Sequence, residues 1–315
     1  MNIKFMRTIG GSTTLLLVGL IFQACSSGPP APRPPVHIRQ STFYVNKGVE
    51  LFNKGCYADA MDYFQDAYQR FTAADDLDGV ARSLNNIADL YYRLEDWQSA
   101  LLVYDDAIAV FRQLSDYNGL VRALSNKAAV LIELKRNEAA DQMLNQAETM
   151  AKDDAHAALR LKIKALLALQ NDAVEAAHDL ILQALSAATP ADQAMISSIY
   201  YTLGHIQMQT DQLDPAQTAF TKALAIDRSN GAFYDIAKDL AALGQCYARQ
   251  GHHDQAVDHL KRSAQIFALL QRPKKAEFVV AQLKKSAAHT DVPVTAALHW
   301  VSEWLANPGR ISLCD

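Results

Sequence analysis

An all-α, right-handed solenoid of six stacked helix–turn–helix units, closed by a C-terminal capping helix, is the fold this sequence predicts. Three observations carry that expectation. Half of the residues are hydrophobic while only 13 of 315 are glycine, and β-branched runs are few, which is the profile of a helical chain. The phrase G-x-x-R-x-L-x-N-x-A is spelled twice, at Gly79–Ala88 and again at Gly119–Ala128. Small residues also recur at fixed spacings along most of the chain.

That recurrence defines the units. Gly48, Ala88, Ala128, Ala165, Gly204 and Gly244 open the series, and Ala60, Ala100, Ala140, Ala177, Ala216 and Ala256 follow, each 12 residues later. Four residues beyond these lies a large apolar side chain: Phe64, Tyr104, Leu144, Ile181, Phe220 or Leu260. Three further on come Ala67, Ala107, Ala147, Ala184, Ala223 and Ser263. Two helices cross closely only where side chains are small, and the large residue fills the space beside the crossing. One such pair cannot bury its apolar face alone, so the copies must stack. The expected units are 41–80, 81–120, 121–157, 158–196, 197–236 and 237–271. The fourth departs most, with a nearly apolar first helix from Leu159 to Leu169.

The pattern resembles the tetratricopeptide repeat. Leu240-x-x-Leu243-Gly244-x-x-Tyr247 and Tyr200-x-x-Leu203-Gly204 reproduce its first helix, although the closing proline is missing and the unit is nearer 40 residues than 34. Asp76-x-x-Gly79 and Asp116-x-x-Gly119 ahead of the first helix are similar to the repeats of kinesin light chains and Pins-type spindle adaptors, and Asn230-Gly231 echoes that turn. The resemblance implies a concave face that holds extended peptides, with Arg82, Asn86, Arg122 and Asn126 matching the Arg and Asn those repeats use. Asn46, Asn86 and Asn126 recur at one position 40 residues apart, and amides offer donor and acceptor together to a peptide backbone. Arg82 and Arg122 lie one helical turn earlier, where they can fork onto carboxylates, and Tyr92 and Phe52 add apolar contacts. The expected ligand is an extended, partly acidic peptide over copies one to three. The alternative use of both arginines is pairing with neighbours such as Asp89.

Residues 1–24 read as a targeting leader, with basic Lys4 and Arg7 ahead of a mostly apolar run from Ile9 to Phe22. Ile21-Phe22-Gln23-Ala24-Cys25 resembles a bacterial lipobox, which implies lipidation at Cys25. The proline-rich stretch that follows resists helix and sheet, so residues 25–40 are expected as a tether. Ser26 after the cysteine resembles the default outer-membrane sorting signal, so the expected location is the outer membrane, facing the periplasm. Without the leader the chain carries 28 basic and 34 acidic residues, because Lys4 and Arg7 drop out of the 30 and 34 of the full sequence. That balance argues against a nucleic-acid binder.

No catalytic, metal or cofactor site is expected: nucleophile elbow, phosphate-binding loop, H-E-x-x-H and C-x-x-C are all missing. His252, His253 and His259 with Asp254 and Asp258 read as a solvated turn. Beyond Cys25 three cysteines remain. Cys56 and Cys246, in the first and sixth copies, are expected to be too far apart to bridge and to be buried as thiols, with Cys246–Cys314 the pairing left open if the tail folds back. Residues 272–315 are expected as a capping helix, Pro273–Ala288, and an amphipathic segment, Val294–Ala306, whose Trp300 and Trp304 dock on the end of the array. These features point to a non-enzymatic, membrane-anchored scaffold for protein or peptide partners. The alternative is a fixed subunit of an envelope machine, such as a pilotin or assembly factor.

Overall fold

The computed structural model describes residues 36–151, 155–307 and 314, with side chains from Ser41 onward. The leader, Cys25 and the tether up to Pro35 lie outside the described residues. The described residues contain fourteen helices and no strand. Six antiparallel pairs come first: α1 (Val36–Lys54) with α2 (Tyr57–Ala73), α3 (Leu77–Arg93) with α4 (Trp97–Leu114), and α5 (Tyr117–Glu133) with α6 (Asn137–Met150). Then follow α7 (Ala157–Gln170) with α8 (Val174–Ala187), α9 (Gln193–Gln209) with α10 (Leu213–Asn230), and α11 (Phe233–Arg249) with α12 (His253–Leu269). The chain ends in α13 (Pro273–Ala287) and α14 (Thr295–Ala306). Helix α1 begins directly after Pro35, so 36–40 of the expected tether are helical once the proline rings stop.

The spacing rule is what holds each pair together. All six alanines at the crossing, and all six residues seven positions on, are fully buried, and the large residue between them is at most 1% exposed. A Cβ added to Gly48, Gly204 or Gly244 would stand 2.6 Å from Phe64, Phe220 or Leu260, so the small and large positions fit each other across the pair. Gly79 and Gly119 serve the junctions between pairs. Their amides donate to the capping carboxylates of Asp76 (3.1 Å) and Asp116 (3.0 Å), and their bare Cα atoms leave room for the rings of Phe71 and Phe111.

The turns repeat as strictly as the helices. Residues 55, 75, 95, 115, 135, 172, 211, 231, 251 and 271 all adopt positive φ, between +53° and +90°. The amide after each reaches back five residues, as in Asp76 N–H to Phe71 O (3.0 Å) and Arg272 N–H to Phe267 O (2.8 Å). This is the Schellman closure, which satisfies the last carbonyls of a helix. Glycine fills the left-handed position only at 55, 231 and 251. The 40-residue unit is therefore two 20-residue modules with the same stop. Helices α6 and α8 end otherwise, with Ala151 and Ala188 extended, and α6, α7 and α8 are only 14 residues long, which is where the fourth copy breaks step.

The array closes on itself. Leu51, Tyr57 and Phe64 of the first pair share one core with Tyr234, Leu260 and Phe267 of the sixth. The rings of Tyr57 and Tyr234 lie 5.4 Å apart, and the Arg272 guanidinium sits 4.5 Å above Tyr57. Gly55 makes the junction possible, since a Cβ there would lie 2.8 Å from the Tyr234 Cβ. This closure corrects the cysteine reading. Cys56, expected as a buried thiol, is disulfide-bonded to Cys314, with Cα atoms 5.6 Å apart. Among the described residues Cys246 is the free, buried thiol, and it donates to the Leu213 carbonyl at 3.1 Å. The expectation treated the units as an open row, whereas closure sets the first copy beside the cap and the tail.

Helix α13 caps α12 through Ala276, Val279 and Leu283. Helix α14 docks through Ala297 and Val301. The tryptophans divide: Trp304 packs on the shared core and its carbonyl accepts from Gln271 at 2.7 Å, while Trp300 stacks on Trp304 and is 49% exposed. Among the described residues no helix is long and apolar enough to cross a membrane.

Candidate functional site

Because the array closes, side chains from the first helices of different pairs meet across its inside. Arg93, at the end of α3, donates to Asp235 near the start of α11 at 3.1 Å, and Lys238 one turn on donates to the same oxygen, also at 3.1 Å. The Lys238 ammonium lies 4.2 Å over the Tyr201 ring of α9. Lys162 of α7 donates to the Ser198 hydroxyl of α9 at 3.0 Å. Tyr92 donates to Glu133 of α5 at 3.4 Å. The side chains of Arg93, Asp235 and Lys238 keep 26–30% exposure, so they line a narrow, water-accessible interior rather than a dry core.

The charges bear this out. Burial alone would raise the Asp235 carboxyl, yet Arg93 and Lys238 hold it well below its ordinary range. Burial works against the charge on Lys238 and Arg93, and Asp235 overrides it, raising both. Lys162 has no such partner. Burial, then repulsion from Arg93 and Lys238, lowers it to about 8. His205 is lowered to about 4, mainly by burial and secondarily by Lys238, and is neutral at physiological pH. Glu133 is raised by burial, near Glu95.

Two cavities open along this inner face. The first, about 360 Å³, is lined by Leu166, Leu169, Tyr201, Thr202, His205, Met208, Gln209 and Arg249. The second, about 370 Å³, takes in Gln245, Ala248, His253, Leu260, Gln282, Lys285, Ser286 and His289. Met208 and Arg249 line both, so the two form one trough from α7 to α13. The Arg249 guanidinium is pinned at the divide by the Met208 carbonyl (2.6 Å) and Asp211 (2.8 Å). Buried Gln282 Oε1 and His253 Nδ1, on the lining of the second cavity, have no partner among the described residues.

The residues singled out from the sequence are distributed as follows. Arg122 and Asn126 converge on Asp89 at 3.0 and 2.8 Å, where the Asn85 amide (3.1 Å) and the Tyr104 hydroxyl also donate. Arg82 pairs with Asp78 on the exposed surface at 3.1 Å. Asn46 is exposed and Asn86 half-buried, and neither amide bonds to another described residue. Tyr92 packs on Trp97 (5.3 Å), and Phe52 lies between Tyr57 and Phe64 with Arg93 above it. Sequence reasoning missed Arg93, Lys162, Asp235 and Lys238. A signal existed for one of them, because Lys238 stands six residues before Gly244, the place Arg82 holds before Ala88 and Arg122 before Ala128. The histidines of the expected turn are engaged in packing, with His253 stacked on His289 (4.6 Å) and His259 beside Tyr247. Among the described residues no group of His, Cys, Asp and Glu is gathered to hold a metal.

Tetratricopeptide-repeat family models match residues 39–113, 121–154 and 195–268. The chain belongs to the tetratricopeptide-repeat family. Its solved neighbours share the fold at low identity. A Rap protein complexed with Competence and Sporulation Factor is 17% identical with TM-score 0.58, over 81% of this chain and 78% of that one. The Rap conjugation gene regulator of plasmid pLS20, in complex with the Phr* peptide, is 16% identical with TM-score 0.56, over 90% and 81%. The signal-transduction ATPase with numerous domains and a tetratricopeptide-repeat sensor from Pyrococcus horikoshii is 16% identical with TM-score 0.59, over 84% of this chain and 40% of that one. No curated protein sequence matches the chain.

Proposed function

We propose that this tetratricopeptide-repeat protein is a non-enzymatic scaffold that holds an extended peptide segment of a protein partner on its inner face. The single observation that carries this reading is the trough of two cavities from α7 to α13, walled by helix side chains and joined at Met208 and Arg249. Pockets of this size with mostly apolar walls and a few placed polar groups suit side chains of a bound chain. Two structural neighbours, both Rap proteins, are described as complexes, one with a factor and one with a peptide. The finer proposal extends the surface to copies one to three, where Arg82 is exposed and the Asn46 and Asn86 amides are uncommitted. There Arg122 and Asn126 would exchange Asp89 for a ligand carboxylate. We further propose that lipid on Cys25 tethers the array to the bacterial envelope, facing the periplasm.

The test is capture of partners from detergent-solubilised membranes, then titration against Arg82→Ala and Asn86→Ala for the first half and Gln209→Ala for the trough. Loss of roughly tenfold in affinity at either set supports inner-face binding, and unchanged affinity at all three moves the site to the outer helices. Membrane fractionation of Cys25→Ala tests the anchor: a variant that stays membrane-bound at full length overturns it. One observation favours the second reading, a fixed subunit of an envelope assembly. Trp300 stands half-exposed on the cap, where a constant neighbour would cover it, and co-purification in fixed stoichiometry would reveal that state.

A further inference from the structure

We infer that the Cys56–Cys314 disulfide is an exchange site for a dithiol, attacked at Cys314 and releasing Cys56, and that this exchange unlatches the seam at which the array closes. The inference goes beyond the scaffold reading and does not depend on it. The bond joins residues 258 apart in sequence, one at the turn of the first pair and one in the tail beyond α14. Closure otherwise rests on side-chain contacts: Tyr57 against Tyr234, Arg93 with Asp235 at 3.1 Å, and Lys275 with Glu95. The ion-paired side chains keep 26–41% exposure, and water weakens such pairs. Among the described residues the disulfide is the covalent tie across the seam.

The two sulfurs are not equivalent. Cys56 is 3% exposed, whereas Cys314 is only partly buried against the shared core, so a thiolate arriving from solvent meets Cys314 Sγ. Exchange is faster when the leaving thiolate is better stabilised, and the surroundings favour that charge on Cys56. Cys56 is the N-cap of α2, with no side-chain cap hydrogen bond, and the positive end of a helix dipole favours a thiolate. Arg272 touches both neighbours of Cys56, donating to the Gly55 carbonyl at 3.5 Å and lying 4.5 Å over the Tyr57 ring. The Arg272 Nε is buried with no hydrogen-bond partner among the described residues, a cation still short of an acceptor. One thiolate of the dithiol attacks Cys314 Sγ, the Cys56–Cys314 bond breaks, and its electron pair leaves on Cys56. The second thiol, deprotonated, attacks the mixed disulfide and releases Cys314. The protein gains two electrons and two protons, and the dithiol becomes a disulfide. An oxidoreductase bearing a C-x-x-C pair is the class of partner that supplies such a dithiol.

Reduced glutathione tests the direction of attack on the full, oxidised chain, because a monothiol has no second thiol to resolve the mixed disulfide. After a short incubation and acid quench, peptide mass spectrometry should find glutathione on Cys314 in roughly tenfold excess over Cys56. Dithiothreitol, a small dithiol, then tests the latch by amide hydrogen exchange. The amides of Cys56, Ala232 and Arg272 close turns at the seam, on Leu51, Asp227 and Phe267. In the reduced protein they should exchange roughly tenfold faster than in the oxidised one, while the amides of α5, remote from the seam, stay unchanged. Cys314→Ser should reproduce the reduced pattern without reductant. Should that variant fail to fold, the oxidised and reduced states of the parent chain still decide. An adduct chiefly on Cys56, or none on the folded protein, overturns the exchange site. Equal hydrogen exchange in the two states, or a rise spread evenly over all helices, overturns the latch. The scaffold reading stands or falls separately, on the partner titrations.

Discussion

Replacing Asp235 with Asn removes the carboxylate that ties the sixth pair to the second across the inside of the array. Asp235 Oδ1 accepts from Arg93 and Lys238 at 3.1 Å each. At that distance and an effective dielectric constant near 20, Coulomb attraction is about 5 kcal/mol per contact before desolvation is charged against it. The three side chains keep 26–30% exposure, so water screens part of that, and a net loss of about 1–3 kcal/mol is expected. Urea unfolding at neutral pH is the assay, with Arg93→Met completing a double-mutant cycle. The coupling should exceed about 1 kcal/mol, whereas the exposed Arg82–Asp78 pair, 65% and 52% accessible, should give less than about 0.5 kcal/mol. The pH dependence follows from the depressed Asp235 carboxyl. Its stabilisation is complete above the unfolded value near 3.9 and fades as pH falls below it. The gap between parent and Asp235→Asn should therefore narrow progressively as pH falls from about 4 toward the depressed folded value. A coupling no larger than the surface control, or a gap independent of pH, would refute closure through this ion pair.

Three further outcomes are expected. Lys135→Gly, at a turn with φ +57°, should stabilise by about 0.5–1 kcal/mol, since the left-handed strain it relieves slightly exceeds the entropy cost of glycine; thermal unfolding measures it. Ala100→Leu, at a fully buried crossing, should destabilise by about 1–3 kcal/mol through overpacking, readable by urea unfolding. Asp239 is raised to about 9 by burial and then by Asp227. The folded state therefore holds a proton that the unfolded chain gives up near 3.9, and stability falls as pH rises through that window. Asp239→Asn should remove that slope and gain about 1–3 kcal/mol on the parent by the alkaline end, as followed by unfolding at pH 5, 7 and 9.

Much of this architecture was legible in the sequence because it is written in residue size. The crossing alanines and their large partners are local, periodic, and read the same in every copy. The turns were only half legible: seven of the left-handed positions carry Asp, Glu, Ser, Lys or Gln rather than glycine, so the stop signal is in the backbone and not in the residue type. Closure was not legible, because it depends on the accumulated angle between pairs, and the shortened helices around the fourth copy alter that angle without a distinctive motif. The consequences of closure were hidden with it. Arg93, Lys162 and Lys238 come from copies two, four and six and become neighbours only when the array curls, and Cys56 meets Cys314 for the same reason. The polar rungs at Arg122 and Asn126 recur in the sequence, and the structure joins them through Asp89, the neighbour named as the alternative partner and a residue of the preceding copy.

The claim at the centre of this account is that the partner lies on the inner face. A photo-crosslinking residue placed at Gln209, on the wall of the trough, tests it most directly, with the same residue at Leu102, 68% exposed on α4, as the comparison. With a captured partner present, the Gln209 position should yield a covalent adduct and the Leu102 position none. An adduct at Leu102 with none at Gln209 would contradict the account.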